Sequence, residues 1–177
     1  DHAIRMMNRP MEQILAGQTA VITGASGGLG AHFARLLARA GAAVALTARR
    51  LDMVEALAGE IAGEGGRAMA LRLDVADAAA IAPAFDEVGA ALGPISILVN
   101  NAGVGGEGLA LDLSVEEWDR TFAVNVRGVF FAAQAAARLM FANGTAEKAQ
   151  ARIVNIASIA SHTVLPGLSA YNASKAS

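Results

Sequence analysis

The sequence predicts an α/β fold, a doubly wound parallel sheet in a three-layer α/β/α arrangement. Three observations predict it. Short β-rich runs alternate with longer Ala/Leu-rich runs along nearly the whole chain. The β-rich runs are apolar from end to end rather than alternating, which is the pattern of strands buried on both faces. A glycine-rich turn joins the first such run to the first helical run.

The elements follow in order. Residues 19–23 form a first strand, closed by Gly24. Residues 31–40 read as a helix, 42–48 as a strand, 52–64 as a helix and 67–75 as a third strand. A third helix is expected over 77–92, with Pro83 inside it, so that it either kinks there or starts near Ala82. A fourth strand covers 95–100, one long helix 115–141 and a fifth strand 153–157, and the chain is helical again from Tyr171. Asp52 with Glu55, and Ser114 with Glu117, have the spacing of capping boxes. The polar stretch 143–150 is long for a helix–strand connection and reads as a mobile surface insertion. Residues 1–14 are expected to be an N-terminal extension outside a single domain over 15–177.

Composition narrows the function classes. The 177 residues suffice for one domain, and 54% hydrophobic against 17% charged residues supply a sizeable core and exclude disorder. The net charge of −2, with scattered basic residues, gives no nucleic-acid footprint. The lack of cysteine excludes disulfides, thiolate metal sites and a cysteine nucleophile. His2, His32 and His162 show no ligand spacing, so no metal site is expected. No apolar run approaches the roughly eighteen residues of a membrane span, and the N-terminus lacks a signal-peptide core. The cytoplasm is the compartment expected from this lack of targeting signals.

Between the first strand and first helix lies Thr23-Gly24-Ala25-Ser26-Gly27-Gly28-Leu29-Gly30. Gly24 permits a tight turn, Gly28 lets backbone approach a pyrophosphate, and Gly30 allows close helix–strand packing. The helix N-terminus then faces the phosphates with free N–H groups and the positive end of its dipole. A glycine-rich turn needs no ligand by itself; here the strand before it and the helix after it are both present. A dinucleotide site usually carries an acid about 20 residues on, at the end of the second strand, for the ribose 2′-hydroxyl. This chain has Ala48, Arg49 and Arg50 there, and Asp52 reads as a helix cap. An arginine accepts a 2′-phosphate, so NADP is expected over NAD, with Arg49 as the discriminating residue because it follows the strand directly.

Tyr171-Asn172-Ala173-Ser174-Lys175 places a phenol and an ammonium at i and i+4, on one face of a helix. A neighbouring cation favours the phenolate and makes tyrosine a usable general acid–base. Ser158 lies at the end of the fifth strand, where ligands sit in open α/β sheets. Asn125 interrupts an apolar helix. A buried amide needs partners, so it is structural or catalytic and not idle.

Taken together, Thr23-Gly24 with Gly28-Leu29-Gly30, then Asn100-Asn101-Ala102-Gly103, Asn125, Ser158, and Tyr171 with Lys175 resemble, in order and spacing, the short-chain dehydrogenase/reductase family, nearest its 3-oxoacyl-carrier-protein reductase-like members. The resemblance covers residues 15–177 and implies a Rossmann-type fold and an NADP(H)- or NAD(H)-dependent oxidoreductase acting on a ketone or secondary alcohol. It implies that Tyr171 is the general acid–base, that Lys175 binds the nicotinamide ribose and assists Tyr171, and that Ser158 bonds the substrate oxygen. It also implies that Asn125 holds a water in a proton relay to Lys175. The cofactor would lie along Gly24, Ser26, Gly28, Leu29, Gly30, Arg49, Asp74, Val75, Asn101, Ala102, Gly103, Tyr171 and Lys175. Asp74 could instead be a strand-end turn acceptor, and Asn101 a loop brace. A non-catalytic dinucleotide sensor of the same fold is the alternative. Family members continue past the Tyr/Lys helix, so the resemblance implies a domain whose C-terminal strands are missing from this chain.

From Phe122 to Phe141 the long helix is apolar on more than one side, interrupted by Asn125, Arg127, Gln134 and Arg138. One side packs on the sheet, and the other would expose apolar surface, which marks an interface. A homo-oligomer is expected, a tetramer rather than a dimer, with a small-molecule carbonyl or alcohol as the other partner.

Overall fold

The computed structural model describes residues 14–105 and 108–177. The expected N-terminal extension therefore lies outside the described residues but for Ile14. Five strands form one sheet in the order β3-β2-β1-β4-β5: β1 Thr19–Thr23, β2 Ala43–Ala48, β3 Ala68–Arg72, β4 Ile95–Asn100 and β5 Arg152–Asn155. All neighbours pair in parallel. Every residue of β1, β2 and β4 is buried, because both faces are covered. Successive side chains go to opposite faces. Val21, Ala45 and Leu98 join one core with Phe85, Val88, Ala132 and Met140. Ala20, Ile22, Val44, Leu46, Ile97 and Val99 join the other with Ala34, Val54, Leu57 and Ile61.

The first of these cores lies under α3 (Ala78–Leu92) and α5 (Val129–Ala142); the second lies under α1 (Gly28–Arg39) and α2 (Leu51–Gly63). Because β1 is central, the chain winds outward from it in two directions. The ends of β1 and β4 therefore flank the crevice in which open α/β sheets hold ligands.

Several expected boundaries shift, each for a local reason. Helix α1 begins at Gly28 rather than at Ala31. The third strand ends at Arg72, and only the Leu73 N–H still bonds the sheet, to the Ala48 carbonyl. Asp52 is not a cap: α2 starts after Arg50 with no side-chain cap, and Asp52 sits in its first turn. Ser114 does cap α4 (Val115–Phe122), accepting from the Glu117 N–H at 3.1 Å, while the Glu117 carboxylate turns to Arg120 instead of back to the cap. That guanidinium holds the Glu117 carboxyl below its ordinary value. Helix α3 starts at Ala78, capped by Asp77, and runs through Pro83, so the later start near Ala82 does not occur.

The single long helix expected over 115–141 is three segments. A π-helical stretch, Ala123–Gly128, separates α4 from α5, and such insertions gather at functional sites. The expected surface insertion at 143–150 is tied down. Asn143 Nδ2 donates to the Ile95 carbonyl at 3.1 Å, and the buried Thr145 hydroxyl sits 3.3 Å from the Met140 carbonyl. The two-sided cover expected of every strand fails at β5. Its four residues are exposed, and β4 is its one strand neighbour among the described residues. A short 3-10 turn (Ile159–Ser161) and helix α6 (Ser169–Lys175) complete the described chain. Among the described residues no helix is long and apolar enough to cross a membrane.

Candidate functional site

The crevice is built by backbone approach. Gly24 has φ +67°, and a Cβ there would lie 2.7 Å from Ala102 Cα, so only glycine lets the β1 turn meet the β4 loop. The Thr23 hydroxyl accepts from the N–H groups of Asn101 (3.1 Å) and Ala102 (3.0 Å). Asn101 Nδ2 returns bonds to the carbonyls of Thr23 (3.0 Å) and Gly24 (3.1 Å). The Asn101 amide thus braces the loop while its backbone lines the cleft. Gly30 packs under that amide, where a Cβ would fall 2.5 Å from Asn101 Nδ2.

The resulting cleft encloses about 290 Å³. Of the sequence-predicted residues it gathers Gly24, Ser26, Arg49, Asp74, Val75, Asn101, Ala102 and Gly103. Gly28, Leu29 and Gly30 do not line it. Gly28, at φ +54°, faces open space at the start of α1, Leu29 is exposed, and Gly30 is a packing residue. Asp74 is a turn acceptor as well as a cleft residue, since its Oδ1 takes the Ala76 N–H at 3.0 Å. Sequence reasoning placed Arg50 behind Arg49 and did not name Val104 or Val124. Both arginines line the cleft, and Arg50 reaches Ser26 Oγ across it at 3.2 Å. Strand-end position could not reveal that contact, which depends on how the β1 and β2 loops lean together.

The second half of the site comes from the π-helical stretch and α6. Gly128 lets the stretch pack on the loop after β3, where a Cβ would meet the Val75 carbonyl at 2.7 Å. Asn125, 6% exposed, accepts from the Val104 N–H and donates to the Val104 carbonyl and to Ser174 Oγ, each at 2.9 Å. Lys175 Nζ donates to the Ile156 carbonyl at 3.0 Å and lies 5.8 Å from the centre of the Tyr171 ring. Gly103 is the common neighbour: its Cβ position is 3.5 Å from Asn125 Oδ1 and 4.0 Å from Lys175 Nζ. The lysine ammonium and the asparagine therefore stand behind the Gly103 loop, and neither they nor Tyr171 are among the residues lining the cleft. Ser158 caps the 3-10 turn, its Oγ accepting from the Ala160 N–H at 3.1 Å, which leaves its own proton to donate. That turn packs against α6. The loop between them is fastened by Asn172, whose side-chain amide bonds both backbone groups of Leu165.

The model of the short chain dehydrogenase family matches residues 18–177. The chain belongs to that family. The chain is 40% identical over 161 residues to the D-threitol dehydrogenase of Mycolicibacterium smegmatis, a match covering 91% of this chain and 60% of that protein. It is 36% identical over 169 residues to the gluconate 5-dehydrogenase of Gluconobacter oxydans, covering 96% and 64%. A crystal structure of a gluconate 5-dehydrogenase from Burkholderia cenocepacia J2315, in complex with NADP and tartrate, superposes with a TM-score of 0.84 at 37% identity, over 94% of this chain and 64% of that one. The chain thus spans somewhat under two thirds of the length of these relatives. The matches hold at the level of the family and do not single out its 3-oxoacyl-carrier-protein reductase subgroup.

Proposed function

We propose that the protein is an NADP(H)-preferring oxidoreductase that interconverts a ketone and a secondary alcohol, with NAD(H) as the weaker cofactor. The observation that carries this reading is the position of Gly103. It lines the crevice, and a Cβ built on it would lie 3.5 Å from Asn125 Oδ1 and 4.0 Å from Lys175 Nζ, so one loop joins cofactor cleft and candidate proton chemistry. The residues fit the cofactor. Helix α1 is entered through Gly27 with no side-chain cap, and Gly28 has open space before it, which leaves the helix N–H groups to phosphate. Two arginines at the end of β2 suit a 2′-phosphate. A gluconate dehydrogenase of similar fold binds NADP, which agrees.

A bound nicotinamide would supply or accept hydride. Tyr171 gives its phenolic proton to the carbonyl oxygen in reduction and takes it back in oxidation. Ser158 donates a hydrogen bond to the same oxygen. Lys175 has three donors, of which one is engaged by Ile156, leaving others for the ribose hydroxyls. Both amide hydrogens of Asn125 have protein partners. We therefore assign its relay water to the main chain of the π-helical stretch rather than to the Asn125 amide. A sensor with no turnover would bind the cofactor through Lys175 all the same, but would not need Ser158.

The protein is further proposed to be a homo-oligomer, a tetramer before a dimer. Residues such as Val124, Ala132 and Ala136 are buried toward the sheet, while Phe130 and Phe141 stand 60% and 70% exposed. Turnover of a panel of ketones by the full-length protein with NADPH and NADH tests the catalytic reading; no turnover with any of them, despite cofactor binding, leaves the sensor.

A further inference from the structure

The Tyr171–Lys175 helix needs something to set its height and rotation against the cleft, and the polar contacts of one buried hydroxyl do this. Ser174 is 4% exposed and lies between the two reacting residues in sequence. Its surroundings fix the direction of every proton. Val104 presents a backbone donor and a backbone acceptor to the Asn125 amide, each at 2.9 Å, so Oδ1 must face the N–H and Nδ2 the carbonyl. Nδ2 then has one hydrogen left, and it points at Ser174 Oγ, 2.9 Å away. Since Nδ2 is a donor, the Ser174 oxygen accepts there and its single proton goes elsewhere. It goes to the Tyr171 carbonyl at 2.8 Å. The result is one directed chain: cleft loop at Val104, Asn125 in the π-helical stretch, Ser174, backbone of Tyr171.

We infer that Ser174 is a positioning residue, which holds the phenol of Tyr171 and the ammonium of Lys175 in register with the cleft by coupling their helix to Asn125. The inference rests on the reading of Tyr171 and Lys175 as the reacting pair. No other described side chain bonds both Asn125 and the backbone of the helix α6 turn. Of the other ties from α6, Ser169 Oγ to the Gly108 carbonyl holds only the start of the helix, and Lys175 Nζ to the Ile156 carbonyl runs through a long flexible stem, whereas the Ser174 bonds run through a side chain with a single rotatable bond to its oxygen. A short link from a buried amide constrains the helix far more tightly. Losing the hydroxyl removes the link and leaves a buried Asn125 N–H without its acceptor, so the helix is free to shift. Ser174 donates to the backbone carbonyl of Tyr171 and not to its phenol, so the phenolic proton stays available for chemistry.

The test compares Ser174→Ala and Ser174→Thr in the full-length protein, with active sites counted by NADPH titration. Ser174→Ala is expected to lower kcat by roughly 10- to 100-fold, as a small misplacement of reacting groups does, with KM for ketone within about twofold of the parent. Ser174→Thr keeps the hydroxyl, which on a helix can still bond a carbonyl one turn back, and is expected to restore most of kcat. A Ser174→Ala protein with the parent's kcat overturns the inference. So does a loss that threonine does not rescue, because that reports bulk and not the hydrogen bond. Should the alanine variant not fold, Ser174→Cys carries the test, having similar shape and a poorer donor: reduced kcat supports the inference and full kcat overturns it. A parent protein that binds NADPH and turns over nothing overturns the oxidoreductase reading and this inference together; an active parent beside an unimpaired alanine variant overturns this inference alone.

Discussion

Lys175 bonds the Ile156 carbonyl at 3.0 Å and stands 5.8 Å from the centre of the Tyr171 ring. The ammonium is thus fixed by the segment that follows β5 and merely overlooks the phenol. A lysine so placed has donors to spare for a bound ribose. Lys175→Met should therefore weaken NADPH binding and lower turnover by about 100-fold or more. Lys175→Arg should not rescue, because a planar guanidinium cannot occupy the same point. Fluorescence titration with NADPH and steady-state rates check both. A Lys175→Met protein with parental Kd would show that the lysine does not meet the cofactor.

Tyr171→Phe removes one oxygen and nothing that packs. Turnover should fall by roughly 10²- to 10⁴-fold, the usual contribution of a positioned proton donor, while NADPH affinity stays within about twofold. Retention of most of the rate would dismiss Tyr171 as the acid.

The arginines at the end of β2 should decide between cofactors. Arg49→Asp replaces an attraction to a 2′-phosphate with a repulsion, so NADP binding should weaken about 10- to 100-fold more than NAD binding. Arg50 bonds Ser26 across the cleft, so Arg50→Ala should loosen the phosphate turn and weaken both cofactors. Equal losses for NADP and NAD in Arg49→Asp would make that residue structural, and a selective loss in Arg50→Ala would transfer the discriminating role to it.

Two glycines with positive φ should respond differently to alanine. At Gly24 the new Cβ meets Ala102 Cα at 2.7 Å, so strain and clash should destabilise the fold by at least about 1–2 kcal/mol and narrow the cleft. At Gly28 nothing lies within 4 Å, so the conformational cost stands alone, and the larger effect should be on cofactor affinity. Thermal unfolding of the two variants separates them. Equal stabilities would deny the close approach at Gly24.

The exposed rings of α5 should lie in an interface. Light scattering on the full-length protein should give an oligomer at micromolar concentration, and Phe130→Glu, which puts a charge where the ring stands 60% exposed, should shift it toward monomer. A parent protein that is monomeric would refute the assembly.

Much of this was legible along the chain because it depends on neighbours a few residues apart. Apolar runs in β1, β2 and β4 announced strands covered on both sides, and the i, i+4 spacing put Tyr171 and Lys175 on one helix face. The glycine pattern marked the turn that Gly24 makes. Where a local rule misled, a longer-range contact had outweighed it. Asp52 had cap spacing, yet the loop bearing Arg49 and Arg50 toward the cleft starts α2 earlier. The polar stretch after α5 looked loose, yet Asn143 and Thr145 reach the start of β4.

By itself, then, the sequence determined the alternation of elements and the kinds of side chain available for phosphate and proton chemistry, since period, propensity and turn chemistry act locally. Only the tertiary structure decided how those side chains are used. Asn125 meets Val104 and Ser174 across separations of 21 and 49 residues, and Arg50 meets Ser26 across 24. Such pairings follow from how two layers of helices pack on one twisted sheet. No spacing along the chain encodes them, because a buried amide takes whichever partners the packed fold brings within hydrogen-bond reach.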